Sequence, residues 1–119
     1  MSNILTPESL AILERQAIEV PSWAYGNSGT RFKVYSTPGT PRDPFEKIAD
    51  AAQVHRVTGL APSVALHIPW DRVDDYSVLS AFAAEQGVAL GTVNSNTFQD
   101  DDYKFGALTH EDAAIRQKA

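Results

Sequence analysis

The feature that most constrains this chain is an alternation of two patterns. Short apolar runs, each long enough for one strand, are separated by segments with helical spacing and clear end signals. In "DPFEKIADAAQVHRVTG" Asp43 caps a helix, Pro44 occupies its first position, Glu46 completes a box-like pattern and Gly59 stops it. Phe45, Ile48, Ala49 and Ala52 are its expected buried face. "SVALHI", residues 63–68, then reads as a buried strand. "DDYSVLSAFAAEQG" predicts a second helix, with Tyr76, Leu79, Phe82 and Ala83 inward and Gly87 as terminator. "VALGTVN", residues 88–94, predicts the next strand.

The flanks extend the pattern less firmly. Near the start, Thr6 caps a helix with Pro7 at its first position and Glu8 at the positive end of its dipole. Leu10, Leu13, Ala17 and Ile18 give that helix an apolar stripe, and it ends at Val20–Pro21 because the residue before a proline is pushed out of the helical region. A short strand is expected over residues 22–25. A long loop rich in Gly, Ser, Thr and Pro follows, and its aromatics Trp23, Tyr25, Phe32 and Tyr35 argue against disorder. In "THEDAAIRQKA" Thr109 and Asp112 resemble a capping box for a last helix.

Strands alternating with helices of this length imply βαβ units and a parallel sheet. Three parallel strands leave uncovered edges, and the last helix is barely two turns long. Both features lead us to expect a fragment of a larger α/β protein.

Composition narrows the function. The chain has 119 residues, a formal net charge of -5 and no cysteine. An acidic balance argues against a nucleic-acid partner. The lack of cysteine removes disulfides, thiolate metal sites and a cysteine nucleophile. No secretory leader and no bilayer-length apolar run is evident, so no membrane partner is expected and a cytoplasmic location is.

In parallel α/β folds chemistry sits at the carboxyl ends of the strands. That rule selects His67, Trp70 and Asp71 after the second strand, Asn94, Asn96 and Phe98 after the third, and Trp23 after the first. Aromatic faces with histidine and amide groups suit a sugar, whose C–H patches stack on rings and whose hydroxyls need polar partners. The alternative is that Trp70 is core and His67 a strand histidine satisfied within the fold. Asp71 either orients His67 or caps the following helix, and the cap is the reading favoured by its position. His55 reads as structural and His110 as exposed. "QDDDYK" lacks the spacing and glycine of a calcium loop and reads as a solvated acidic loop. "YGNSGTR" fits no nucleotide-binding pattern. No cluster of Glu, Asp and His dense enough for a metal occurs in the sequence.

"WAYGNSGTRFKV", "TPRDPFEKIADAAQVHR", "APSVALHIPWD" and "FQDDDYK" together resemble the N-terminal part of bacterial L-rhamnose isomerases, in the branch with broad aldose specificity. The resemblance runs from about Ser22 to Ala119. It implies that residues 1–119 are the N-terminal portion of a xylose-isomerase-like (β/α)₈ TIM barrel: a helix followed by about three βα units. It further implies metal-dependent aldose–ketose isomerisation of L-rhamnose to L-rhamnulose and related sugars, a divalent metal (Mn2+) whose ligands lie outside this chain, and a homotetramer at full length. Carried over by residue, His67 corresponds to a catalytic, substrate-contacting histidine near the ring oxygen and O5 hydroxyl. Trp23, Trp70 and Phe98 correspond to walls of the substrate pocket, and Phe32 to a phenylalanine that reaches a neighbouring subunit's site. Another sugar isomerase or epimerase of the same superfamily, or a non-catalytic sugar-binding fragment, are the alternatives.

Overall fold

The structure is a computed structural model, and it describes residues 6–27 and 35–119. Helix α1 (Pro7–Glu14) is followed by strand β1 (Glu19–Pro21), helix α2 (Pro44–Thr58), strand β2 (Ser63–Ile68), helix α3 (Tyr76–Glu85), strand β3 (Ala89–Ser95) and helix α4 (Ala113–Lys118). Two 3₁₀ turns, Ser22–Ala24 and Asp101–Phe105, follow β1 and β3. The strands form one parallel sheet in the order β1-β2-β3. Helices α2 and α3 are the crossovers, as the alternation predicts. No helix among the described residues is long and apolar enough to cross a membrane.

The central helices form where their end signals lie. The Asp43 side chain accepts a hydrogen bond from the Glu46 N–H at 2.9 Å, and Gly59 closes α2 in the left-handed region at φ 71°. Asp75 caps α3 by accepting from the Ser77 N–H at 2.8 Å. The core lies between one face of the sheet and these two helices. It consists of Ile48, Ala51 and Ala52 of α2, Val64 and Leu66 of β2, Leu79 and Ala83 of α3, and Val88. Val64 and Leu66 alternate with Ser63, Ala65 and His67, which lie on the opposite face of the sheet.

Several expectations are corrected. Helix α1 stops at Glu14 rather than at Val20, and Leu10, Leu13 and Ile18 stay about half exposed. The competing force is the sheet: the Ile18 N–H donates to the Leu60 carbonyl at 3.0 Å, which leads the chain into β1. The first strand therefore precedes Ser22, and residues 22–24 form a turn instead of a strand. On α2 the buried face contains Lys47 and Ala51, with Ala49 only half-buried. Tyr76 is exposed at the start of α3. Strand β3 starts one residue later than expected, because Val88 turns into the core. Helix α4 is capped by Asp112, which accepts from the Ala114 N–H at 2.8 Å, and not by Thr109.

β3 carries a bulge. Val64 pairs with Leu90, but Leu66 pairs with Val93, so Gly91 and Thr92 share the place opposite Ala65. Gly91 leaves room there for a side chain from β1. A Cβ built on it would overlap the Glu19 carboxylate and stand 2.9 Å from Ser63 Oγ. The Glu19 carboxylate fills that space and accepts from Ser63 Oγ at 2.9 Å, from the Thr92 N–H at 3.0 Å and from Thr92 Oγ1. These hydrogen bonds, Thr92's foremost, hold Glu19 below the usual carboxylate pKa.

Candidate functional site

β2 is the central strand: β1 pairs with its first half, Ser63 to Ala65, and β3 continues beside it to its carboxyl end at Ile68. His67 is the fifth residue of β2 and pairs in register with Asn94 of β3. The Asn96 N–H donates to the Ile68 carbonyl at 2.9 Å and extends the ladder past the strand. The Ile68–Pro69 peptide is cis, and the Asp71 N–H returns to the His67 carbonyl at 2.8 Å. Trp70 thus sits in a closed turn directly after the strand.

Three rings surround the His67 imidazole. Trp70 stacks on it with centroids 3.7 Å apart and planes at 17°. Trp23 meets it edge-on at 5.5 Å and Phe98 at 5.9 Å. The distances are those of favourable stacked and T-shaped aromatic contacts. His67 is only 4 % exposed, yet neither ring nitrogen has a hydrogen-bond partner among the described residues. Unsatisfied buried polar atoms are rare and call for an explanation. Asn96 Oδ1 is a third such atom at the same end of the sheet, while its Nδ2 donates to Gln99 Oε1 at 2.7 Å. Burial pushes the His67 pKa below the ordinary histidine value, with the Asp71 charge opposing and the Lys47 charge adding to that effect. The imidazole is therefore neutral at pH 7, with one N–H donor and one lone pair.

Asp71 has a role that the sequence reading missed. It is fully buried and is not a helix cap, since Asp75 caps α3. Nor does it touch the ring nitrogens of His67. Its Oδ2 accepts from the His67 N–H at 2.7 Å and from Ser22 Oγ; its Oδ1 accepts from Lys47 Nζ at 2.6 Å. Lys47 is itself 3 % exposed. A carboxylate withdrawn from water needs such partners.

The structure brings Trp23, His67, Trp70 and Phe98 together. Asn94 is on the same strand end but exposed, and Phe32 lies outside the described residues. Tyr25 packs against the core. A cavity of about 350 Å³ borders Trp70, with Asn27, Thr40, Pro41, Arg42 and Lys47 as its other walls. Its volume falls in the range of small-molecule sites, roughly 300–1,000 Å³.

The other sequence candidates lie elsewhere, and His55 Nδ1 is likewise buried without a partner among the described residues. His55 on α2 is half-buried, and His110 is half-buried rather than exposed, its Nδ1 accepting from the Asp112 N–H at 2.9 Å. Asp100 to Asp102 are solvated, but Lys118 bridges Asp100 and Asp102 at 2.7 Å each. Those bonds lower the Asp100 pKa and raise that of Lys118. Among the described residues no three His, Asp or Glu side chains converge as a metal site. These residues therefore do not fit a metal centre, and no chemical step through a metal is derived from them.

No family model matches the chain. It is 43 % identical over 107 residues to a probable sugar isomerase of Rhizobium meliloti, covering 86 % of this chain and 25 % of that protein. It is also 43 % identical over 114 residues to a probable sugar isomerase of Mesorhizobium japonicum, covering 92 % of this chain and 26 % of that protein. The chain spans about a quarter of the length of these curated relatives.

Proposed function

We propose that this chain builds the sugar-holding wall of an aldose–ketose isomerase. The single observation that carries the reading is the His67 imidazole: buried among Trp23, Trp70 and Phe98, neutral, and without a partner at either ring nitrogen among the described residues. A sugar supplies what is missing. Its C–H face replaces aromatic contact, and its hydroxyls meet a donor and an acceptor on one ring. The similarity to two proteins named probable sugar isomerases points to the same substrate class.

The finer reading is L-rhamnose isomerase, with conversion of L-rhamnose to L-rhamnulose and related aldoses to ketoses. The three strands are then strands of a (β/α)₈ barrel, and His67 lies at the barrel face where such enzymes carry their chemistry. In this role His67 donates to the sugar ring oxygen or accepts from the adjacent hydroxyl as the ring opens. Trp23, Trp70 and Phe98 exclude water from that exchange. A divalent metal, Mn2+, with its ligands outside this chain, would supply Lewis-acid chemistry to the bound sugar. Phe32 is assigned to a neighbouring subunit's site in a homotetramer, and a cytoplasmic location completes the reading.

The test is turnover by the intact protein with Mn2+ and separately with L-rhamnose, allose, ribose and xylose, with ketose formation as readout. The expected result is ketose from L-rhamnose and loss of that activity in His67→Asn. Epimers without ketose would make the protein an epimerase. Sugar binding without conversion of any sugar would leave only a binding protein.

A further inference from the structure

We propose that Asp71 is the positioning residue of this site: its buried carboxylate fixes the three backbone segments that carry Trp23, His67 and Trp70. The inference rests on the reading of these rings as a sugar site, and assigns the residue that holds them in order.

An ionised carboxylate accepts hydrogen bonds at two oxygens and can serve several donors at once. Asp71 serves three, from three parts of the chain. Ser22, one donor, opens the 3₁₀ turn whose next residue is Trp23. The His67 N–H, the second donor, belongs to the residue whose ring the tryptophans enclose. Asp71 itself directly follows Trp70, and its own N–H closes the turn onto the His67 carbonyl at 2.8 Å. Lys47, the third donor, reaches from α2 and supplies the balancing charge at 2.6 Å. One carboxylate is thus bonded to, or adjacent to, every segment that carries a tryptophan or the histidine of the cluster.

Stability alone is a poor reason for such an arrangement. A buried ion pair is often matched or exceeded by well-packed apolar residues of similar size. What apolar residues cannot supply is directionality. A carboxylate bonded at both oxygens sets the orientation of the Ser22 hydroxyl and the His67 peptide together. Asp71 makes no bond to the imidazole, so its influence passes through the backbone, and it is a positioning residue and not a catalytic one.

The experiment compares the intact wild-type protein with Asp71→Asn and with the double variant Lys47→Met/Asp71→Asn, which leaves no unpaired buried charge. Diethyl pyrocarbonate acylates neutral imidazoles, and mass spectrometry reads its rate at each histidine separately. His67 is shielded in the wild type and His55 on α2 is the internal reference. We expect acylation of His67 to accelerate at least about tenfold in both variants, as local opening exposes the ring, with the His55 rate unchanged. In parallel kcat/KM for L-rhamnose should fall by roughly 100-fold, the scale of an ångström-level misplacement. An unchanged His67 rate in the double variant would overturn the proposal, as would equal acceleration at His67 and His55, which marks general loosening. If the wild type converts no sugar, the functional reading fails, while the acylation rates still decide the role of Asp71.

Discussion

Replacing Gly91 by alanine should destabilise the sheet, with Glu19 as the cause. A Cβ at this position would overlap the Glu19 carboxylate oxygen, lie 2.5 Å from Glu19 Cδ and 2.9 Å from Ser63 Oγ. The glutamate side chain is flexible, so the overlap alone is cheap to relieve. Moving it, however, gives up the bonds from Ser63 Oγ, the Thr92 N–H and Thr92 Oγ1. Hydrogen bonds to charged groups contribute about 1.5–3 kcal/mol when buried, and partial access to water lowers that, so the total cost is about 2–3 kcal/mol. In an intact protein of its relatives' length, about four times that of this chain, that corresponds to a fall in Tm of roughly 2–4 °C. Calorimetry on the intact protein measures it. The decisive comparison is the same substitution in a Glu19→Ala background. With the carboxylate gone, Gly91→Ala should cost less than about 0.5 kcal/mol, which leaves a coupling of about 2 kcal/mol between the two positions. Equal costs in both backgrounds would refute the reasoning and place the strain elsewhere in the bulge.

The same carboxylate gives a pH dependence. Its folded pKa lies below the ordinary 4.5, so its contribution is present above pH 4.5 and is lost as the pH falls through the folded value. Acid should therefore lower the Tm of Glu19→Gln less than that of the wild type below pH 4.5, as measured by scanning calorimetry across that range. At the end of α2, Gly59 has φ 71° and open space around its Cα, so Gly59→Ala should cost about 1–2 kcal/mol from backbone conformation alone. Urea titration checks this, and a loss below a few tenths of a kcal/mol would contradict it.

What could be read from the sequence was local. Asp43 and Gly59 bracket α2 within one segment, and the apolar run of β2 declares itself without its neighbours. That His67, Trp70 and Phe98 lie together is legible because a strand end is a position that sequence order defines. The errors arose where a distant partner decides. Lys47 is buried on α2 because Asp71, 24 residues later, holds its ammonium group. Asp71 looked like a cap because acidic residues before a helix usually are caps, and Asp75 occupies that role. Glu19 meets Thr92 across 73 residues, so neither the bulge nor the room that glycine leaves at 91 had a local signal. Helix α1 illustrates the opposite failure: its spacing promised a longer stripe, but among the described residues it buries no side chain.

In the proposed function the rings around His67 hold a sugar. Steady-state kinetics of the intact protein and its Trp70→Ala variant on L-rhamnose test it most directly. Trp70 stacks face to face on His67 at 3.7 Å and borders the cavity beside it. Its removal forfeits about 0.5–1.5 kcal/mol of aromatic contact in addition to the apolar surface the indole offers a sugar. The account predicts a rise in KM of at least about tenfold, equivalent to 1.4 kcal/mol of binding, with the Tm lowered by only a few degrees. A KM for L-rhamnose equal to that of the wild type would contradict it.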